Sequence, residues 1–304
     1  MKPDLSVNIA GIKMKNPVMA ASGTFGYGRE YSEVLDLESL GALVVKSLTL
    51  KETRGHLPPR ACETPSGLLN AIGLQNKGVD YFLETDLPFL RKFRLPVIAS
   101  IAGETIEEYE KVAERLEEAR GLSGIELNVS CPNIKKGGLQ FGSDRRLLQQ
   151  VVSRVRKQTR FPLMVKLTPN VTSIGEMAEV AVDSGADALS LINSVNGMSI
   201  DIRTRKPKLA NITGGLTGPA IRPIAVHMVW QVAKRVKVPI VGMGGISSAE
   251  DAVEFFLAGA SAVAIGTANF INPRAIVSIV DGLAKFLKEQ KLKSIKELMG
   301  GLRV

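Results

Sequence analysis

The chain has 304 residues, of which 45% are hydrophobic and 23% charged, and its formal net charge is +9. This composition excludes a disordered, collagen-like or coiled-coil protein, and the length fits two small domains or one large barrel. Aromatic residues make up only 5% and do not alternate with basic ones, so we expect no nucleic-acid partner. A small anionic ligand explains the basic balance equally well.

The two cysteines, Cys62 and Cys131, are too few for a disulfide framework, and their spacing fits neither a metal site nor an iron–sulfur cluster. Residues 1–11 contain no long apolar region, which argues against a signal peptide. The uncharged stretch 255–273 contains two glycines and two asparagines, so we interpret it as a helix end, a turn and a strand. We therefore expect a soluble, cytoplasmic protein without a membrane partner.

Short apolar segments rich in β-branched residues recur along the chain and are separated by helical patterns. Continuous apolar runs of this length are typical of strands that are buried on both faces of a parallel sheet. Eight strands are predicted in this way, over residues 17–22, 42–47, 96–101, 124–130, 163–168, 188–194, 239–245 and 262–267.

Amphipathic helices are predicted between the strands, most clearly over residues 104–120, 143–159 and 247–259. We expect a serine at position 143 to cap the second of these helices. The third helix begins with the spacing of a capping box, formed by Ser247 and Glu250.

Eight strand–helix units with right-handed crossovers predict an α/β protein that closes into a (β/α)8 TIM barrel. A doubly wound open sheet is the alternative, but the chain has no early GxGxxG motif to favour it. Because we find no linker, we expect residues 1–304 to form a single domain.

Three regions lie outside the simple repeat. Residues 5–16 alternate in polarity and turn at Ala10-Gly11, which predicts an N-terminal hairpin under the barrel. The long gaps 48–95 and 195–238 predict insertions after strands 2 and 6, with a shorter one after strand 4, all at the mouth where barrel active sites form. The final helices, over 273–300, are expected to close the ring.

The predicted strand ends are small and polar, and none of them carries a histidine. His227 lies in a helical stretch and is interpreted as a packing residue, so a histidine base would require His56 to fold into the mouth. Two glycine-containing strand ends, GMGG (242–245) and IGT (265–267), have the pattern of a phosphate cradle in barrels. This pattern indicates a phosphorylated cofactor or substrate.

Several mouth residues have side chains suited to chemistry. Cys131 lies in a loop before a proline and a Gly-rich stretch, where a thiol can act as a base or nucleophile, whereas Cys62 is interpreted as structural. Lys166 ends strand 5, where it either serves a ligand or forms a structural ion pair. Four amides suit a heterocycle with alternating C=O and N–H groups, namely Asn70, Asn128, Asn133 and Asn193.

Four motifs together resemble one family. SCPN after strand 4, KSLT after strand 2, NAIGLQN (70–76) and ANITGGLTGPAI (210–221) are similar to those of the dihydroorotate dehydrogenases, most of all the class 1B, NAD-linked catalytic subunits. The resemblance extends over nearly the whole chain. It implies a barrel that holds one FMN per chain and oxidises dihydroorotate to orotate in de novo pyrimidine biosynthesis.

The resemblance also implies roles for individual residues. The implied FMN contacts are Ser22, Lys46, Ser47, Ser100, Asn128, Lys166, Ile192, Gly218, Gly244, Gly245, Gly266 and Thr267. The implied substrate contacts are Lys46, Asn70, Ala71, Ile72, Gly73, Leu74, Asn128, Asn133, Asn193 and Ser194. Relatives often have Asn where this chain has Ser100, so the resemblance is weaker at that position. Cys131 matches the catalytic base, which takes a proton from C5 while hydride leaves C6; no metal is implied.

Class 1B chains pass their electrons to a second subunit that carries FAD and a [2Fe–2S] cluster and reduces NAD⁺, in a heterotetramer built on a catalytic homodimer. Four exposed basic residues either help this subunit to dock or form a solvated face, namely Arg203, Arg205, Lys206 and Lys208. Three alternatives stay open: a class 1A enzyme that uses fumarate, a dihydropyrimidine dehydrogenase-type flavin domain, and a non-catalytic phosphate- or flavin-binding barrel.

Overall fold

A computed structural model describes residues 3–130 and 141–303 of the chain. Eight parallel strands form a closed barrel in which each strand pairs with its neighbours in chain order. The barrel strands are β1 (Val18–Ala20), β2 (Ala42–Val44), β3 (Val97–Ile101), β4 (Gly124–Asn128), β5 (Leu163–Lys166), β6 (Ala188–Leu191), β7 (Ile240–Met243) and β8 (Ala262–Ile265). Pairing of β8 with β1, with Ile265 opposite Ala20, closes the ring. The predicted barrel is confirmed.

Helices surround the barrel and cover its outer face. The segments of four residues or more are Arg29–Ser32, Phe82–Asp86, Leu87–Leu90, Ile106–Glu117, Arg145–Gln158, Ile174–Asp183, Arg222–Ala233, Ala249–Ala258, Ala268–Ile271, Ala275–Glu289 and Ile295–Leu298, and the shorter ones are Leu37–Ser39, Val79–Tyr81 and Pro219–Ile221. Every residue of the eight barrel strands is buried, because one face packs on these helices and the other fills the barrel interior. The continuous apolar runs in the sequence have this origin.

The predicted hairpin at the N-terminus is present below the barrel. Strands Val7–Ile9 and Ile12–Met14 pair antiparallel around a turn at Ala10 and Gly11. The Ile12 side chain lies so close to Gly124, at the start of β4, that a Cβ there would be 2.8 Å from Ile12 Cδ1. The hairpin therefore covers the amino ends of the strands, opposite the mouth.

The two long insertions pair with each other at the mouth, which the sequence did not predict. Strands Ala61–Thr64 and Gly67–Asn70 come from the first insertion, and Val195–Met198 and Thr213–Thr217 come from the second. They form one four-stranded antiparallel sheet through the pairing of Gly67–Asn70 with Thr213–Thr217. A small hairpin, Ile200–Asp201 with Lys206–Pro207, extends from the second insertion.

A small apolar cluster holds this sheet together. Leu69, Ala71 and Leu209 are buried in it, and Cys62 packs against them from the neighbouring strand. The interpretation of Cys62 as a structural residue is thus confirmed, because the thiol fills a gap in an apolar cluster.

Two predicted helix caps are wrong by one residue. Asp144, not Ser143, caps Arg145–Gln158, because its carboxylate accepts a hydrogen bond from Leu147 N at 2.9 Å. The capping box of Ala249–Ala258 is formed by Ser248 and Asp251 rather than by the predicted pair one residue earlier. Asp251 also forms an ion pair with Arg222.

The interpretation of His227 as a packing residue is wrong. Its side chain is exposed on helix Arg222–Ala233, with its ring 6.0 Å from that of Trp230. None of the helices in the described part of the chain has both the length and the apolar character needed to cross a bilayer.

Candidate functional site

Two cavities adjoin at the carboxyl ends of the barrel strands. The glycine-lined cavity, of about 300 Å³, lies against β7 and β8 and includes Gly244, Gly245 and Gly266 in its wall. The amide-lined cavity, of about 160 Å³, lies against β2 and β4 and includes Asn70 and Asn128. The two share a wall made of Gly23, Asn70, Ile72, Lys166, Asn193 and Ser194. Together they form one elongated cleft.

Backbone geometry shapes the glycine-lined cavity. Gly245 follows β7 with a φ of +79°, which favours glycine, and a Cβ there would lie 2.7 Å from Arg222 Cβ and 2.8 Å from Gly218 O. No side chain therefore fits at this position in the described structure.

Gly266 and Gly23 lack a packing reason to be glycine. A Cβ at Gly266 would meet nothing closer than 3.9 Å, and one at Gly23 would meet nothing within 4 Å. Both residues line the cleft, so the missing side chains leave space for a ligand that approaches the backbone closely.

Four backbone N–H groups at this end are available to an anion. Those of Gly244, Gly245, Gly266 and Thr267 have no hydrogen-bond acceptor within residues 3–130 and 141–303. All four residues are partly buried. Because partly buried N–H groups without a partner are costly, a phosphate that accepts several of these bonds would be favoured here.

Side chains, in contrast, form the amide-lined cavity. Asn128, at the end of β4, donates to Ser47 Oγ at 3.1 Å, and Asn193 Nδ2 lies 3.5 Å from Asn128 Oδ1. Asn70 is held by the sheet of the two insertions, through a 3.2 Å bond to Gly215 O. Three of the four predicted amides therefore meet at one cavity, where they offer both donors and acceptors.

Ser100 is placed behind the cleft rather than in its wall. It is completely buried, and its hydroxyl lies 2.9 Å from that of Ser47, which does line the amide-lined cavity. Ser100 therefore meets Ser47 rather than the cleft wall, and its contact with a cofactor stays a prediction.

Lys166 lies where the two cavities meet. Its side chain is 7% exposed, and its ammonium donates to Ser22 Oγ at 3.3 Å and lies 3.9 Å from Glu126 Oε1. The predicted ion pair is present, and the side chain also lines both cavities, so the predicted contact of Lys166 with a ligand stays open.

Lys46 is a second cation in the amide-lined cavity. No carboxylate lies within ion-pair distance of its ammonium in the described ranges. Burial, and secondarily the charge of Arg60, lower the pKa of Lys46 from its usual value. An anionic ligand in this cavity would supply the missing opposite charge.

The segment from Asn70 to Leu74 lines the amide-lined cavity, as predicted. His56 supports this segment from outside, because its Nδ1 lies 3.0 Å from Ala71 O and its ring packs on Gly73. The histidine does not line either cavity, so it does not supply a base to the cleft.

Cys131 and Asn133 lie outside the described residues. The residue before them, Ser130, lines the amide-lined cavity, and its hydroxyl donates to Lys166 O at 2.8 Å. After the gap, Gly142 N donates to Val129 O at 2.9 Å.

The remaining predicted residues also line the cleft. Ser22 and Ser47 lie in the amide-lined cavity, and Ile192, Gly218 and Thr267 lie in the glycine-lined one. Sequence reasoning missed Ser130 and Glu126. A charged residue inside the apolar run GIELN was the available signal for Glu126.

A family model described as dihydroorotate dehydrogenase matches residues 4–287. The chain belongs to the dihydroorotate dehydrogenase family. It is 56% identical over 301 residues to a protein of Geotalea uraniireducens (strain Rf4) named "Dihydroorotate dehydrogenase B (NAD(+)), catalytic subunit", with 99% of each chain covered. Proteins of the same name from Geotalea daltonii and Thermoanaerobacter sp. (strain X514) are 54% and 53% identical, with 99% or more of each chain covered.

Proposed function

We propose that the chain oxidises dihydroorotate to orotate with one bound FMN, in de novo pyrimidine (UMP) biosynthesis. We propose further that its electrons reach NAD⁺ through a separate subunit with FAD and a [2Fe–2S] cluster. The observation that carries the proposal is the junction at Lys166 of an anion cradle with a cavity of amides. The names of the relatives support the substrate and the NAD⁺ linkage.

The residues present fit FMN. The free N–H groups at Gly244, Gly245, Gly266 and Thr267 would hold its phosphate, and the open space over Gly23 and Gly266 would admit the cofactor beside the backbone. Ile192 and Gly218 would pack against it, and Lys166, with Ser22, would hold the polar end of its ring system. When bound, FMN supplies the acceptor for the hydride that leaves C6 of dihydroorotate.

The amide-lined cavity would hold the dihydroorotate ring. Asn70, Asn128 and Asn193 offer donors and acceptors for its C=O and N–H edges, and Asn133 is proposed to join them. The N–H groups and amides of the 70–74 segment and Ser194 would bind the carboxylate. Lys46 would add a positive charge to this anionic substrate, in a cavity that supplies no other partner for it among the described residues.

Cys131 is proposed as the base that takes the proton from C5. Thiolate is the effective form, and a free thiol has a pKa near 8.5, so proton abstraction should accelerate as pH rises toward that value. The proposal is supported by Ser130, the preceding residue in the sequence, which lines the amide-lined cavity.

Anaerobic addition of dihydroorotate to the purified chain tests the proposal. Bleaching of an oxidised flavin band by dihydroorotate is expected, and a flavin that stays oxidised, or a chain that takes up no added FMN, would contradict it. Reduction by dihydrouracil would instead indicate a dihydropyrimidine dehydrogenase-type activity. Turnover with fumarate by the isolated chain would indicate a class 1A enzyme.

Cys131→Ser gives the first specific prediction. FMN should stay bound, while the rate of flavin reduction by dihydroorotate should fall by about 10²–10⁴-fold, with its pH dependence moved to alkaline values. Cys62→Ser is the matched control, because Cys62 packs in the apolar cluster of the insertion sheet away from Ser130. Equal reduction rates for wild type and Cys131→Ser in stopped-flow measurements would remove Cys131 from the mechanism.

The partner is tested by co-purification. We expect a flavin- and iron-containing chain to accompany this one, in a heterotetramer built on a homodimer of the single FMN-binding domain. Reduction of NAD⁺ should require that second chain. Full NAD⁺ reduction by the isolated chain would contradict this part of the proposal.

A further inference from the structure

Glu126 is a buried carboxylate for which the proposed reaction has no use. It lies in β4, is 1% exposed, and lines neither cavity. Its Oε2 accepts a hydrogen bond from Ser190 Oγ at 3.0 Å, and its Oε1 has no hydrogen-bond partner in the described part of the chain. The nearest charge is the Lys166 ammonium, 3.9 Å from that same Oε1.

Strand geometry explains why Glu126 lies under the cleft. Side chains two residues apart in a strand point to the same face, so Glu126 shares the inward face of β4 with Asn128. Ser190 is in β6, which is separated from β4 by β5, so the bond between them crosses the barrel interior. Glu126 thus forms part of the floor beneath the amide-lined cavity.

Packing alone does not account for a carboxylate at this position. Burial of an ion pair costs desolvation energy, and replacement of such pairs by apolar residues is often neutral or stabilising. The other inward positions of the barrel strands are mostly filled by apolar or small residues, as is usual in such barrels. The reason for a carboxylate at position 126 should therefore lie in its electrostatic effect on neighbouring residues.

The neighbour on which Glu126 acts electrostatically is Lys166. The Lys166 ammonium donates to Ser22 Oγ and lies 3.9 Å from Glu126 Oε1, and Lys166 lines both cavities. A lone ammonium would present a full positive charge to a ligand at this junction. Paired with a carboxylate at 3.9 Å in a poorly hydrated environment, it presents much less.

We propose that Glu126 is a positioning residue that holds Lys166 and reduces the positive charge this lysine presents to the flavin. The inference rests on the proposed function, since it requires FMN at the junction. An uncompensated cation beside the polar end of the ring would favour the reduced flavin and raise its midpoint potential. Glu126 keeps that potential lower, which suits an enzyme that passes its electrons to a weak oxidant such as NAD⁺.

The test is the midpoint potential of FMN bound to Glu126→Gln, which keeps the shape of the side chain and removes its charge. The two-electron midpoint potential should become more positive by at least about 30 mV, which corresponds to a tenfold change in the equilibrium constant. An unchanged or lower potential in the FMN-loaded variant would overturn the inference.

Asp86→Asn is the matched control. Asp86 is also a buried carboxylate in an ion pair, with Arg29 at 3.0 Å, but it lines neither cavity. This variant should lose thermal stability and keep the wild-type potential. An equal rise of the potential in both variants would mean that general loosening of the fold, and not the charge beside Lys166, moves it, and would overturn the inference.

Ser190→Ala gives a second test with the opposite sign, which decides the question if Glu126→Gln does not fold. Loss of the Ser190 hydrogen bond leaves the whole carboxylate charge to Lys166, so the potential should fall. A rise or no change would overturn the inference. If the wild-type chain binds no FMN at all, the proposed function and the inference both fail; if it binds FMN and the variants behave as wild type, only the inference fails.

Discussion

The two halves of the cleft are built in different ways. The glycine-lined cavity depends on the backbone, with N–H groups that lack partners and with a glycine at 245 that no other residue can replace without a clash. The amide-lined cavity depends on side chains, in a chain of contacts from Ser100 through Ser47 to Asn128 and Asn193. Lys166 belongs to both.

Because of this difference, we expect mutations in the two cavities to affect ligand binding and stability in different ways. Backbone donors are fixed by the fold, so only steric changes disturb the glycine-lined cavity. They should lower stability as well as binding where the added side chain clashes with the protein, and binding alone where it enters open space. Side-chain donors can be removed one at a time, so changes in the amide-lined cavity should separate binding from stability. Three further predictions test this comparison, in addition to those for Cys131→Ser and Glu126→Gln.

The largest effect on stability is expected from Lys166→Met, at the junction of the two halves. The change leaves the Glu126 carboxylate buried without its cation, which costs about 3 kcal/mol of the free energy of unfolding in comparable cases. FMN affinity should fall as well. Urea denaturation of the FMN-free chain measures the first effect, with Lys77→Met, which breaks an exposed pair with Glu52, as the control without measurable change.

A smaller effect is expected from Gly245→Ala, in the glycine-lined half. The positive φ and the clash with Arg222 Cβ and Gly218 O should cost about 1–3 kcal/mol and weaken FMN binding. Gly266→Ala is the matched variant, because its Cβ would meet no protein atom closer than 3.9 Å. It should weaken FMN binding, measured by fluorescence titration, without a change in the melting temperature.

If Gly266→Ala bound FMN as tightly as wild type, the open space above this glycine would not be cofactor space. If it lost as much stability as Gly245→Ala, the distinction between a fold-required glycine and a ligand-required glycine would be wrong.

The smallest effect concerns the charge of Lys46, in the amide-lined half. Binding of anionic dihydroorotate should weaken as pH rises through the lowered pKa of Lys46, because the ammonium is then lost. Arg60→Gln removes a repelling charge, so it should raise that pKa and move the alkaline loss of binding to higher pH.

The pH dependence of the dihydroorotate KM, compared between wild type and Arg60→Gln, measures this shift. Lys77→Gln, an exposed change in the same insertion, should leave the profile where it is. An unchanged or downward-shifted profile in Arg60→Gln would contradict the effect of Arg60 on Lys46, whereas a KM raised equally at every pH would indicate that Arg60 acts on the substrate directly.

The barrel strands were predictable because their signal is local. All eight predicted strands are present. Most of the predicted strands extend beyond the observed carboxyl ends; the strand predicted over 188–194, for example, ends at Leu191. Some of the extra residues, such as Asn193 and Ser194, line the cleft. A buried strand is visible in the sequence as a run of consecutive apolar residues, whereas the residue at which its hydrogen-bond pairing ends depends on the neighbouring strand.

The sequence by itself determined the eight buried strands, the hairpin, and the glycines and amides of the mouth, because each depends on a short pattern or on one backbone position. Only the tertiary structure decided that the two insertions form one sheet and that Ser100 stays behind Ser47. The tertiary structure also places Glu126 in contact with Ser190, 64 positions away in the sequence, and near Lys166. Such contacts exist only once the barrel has closed, and no local pattern encodes which distant residues its closure will bring together.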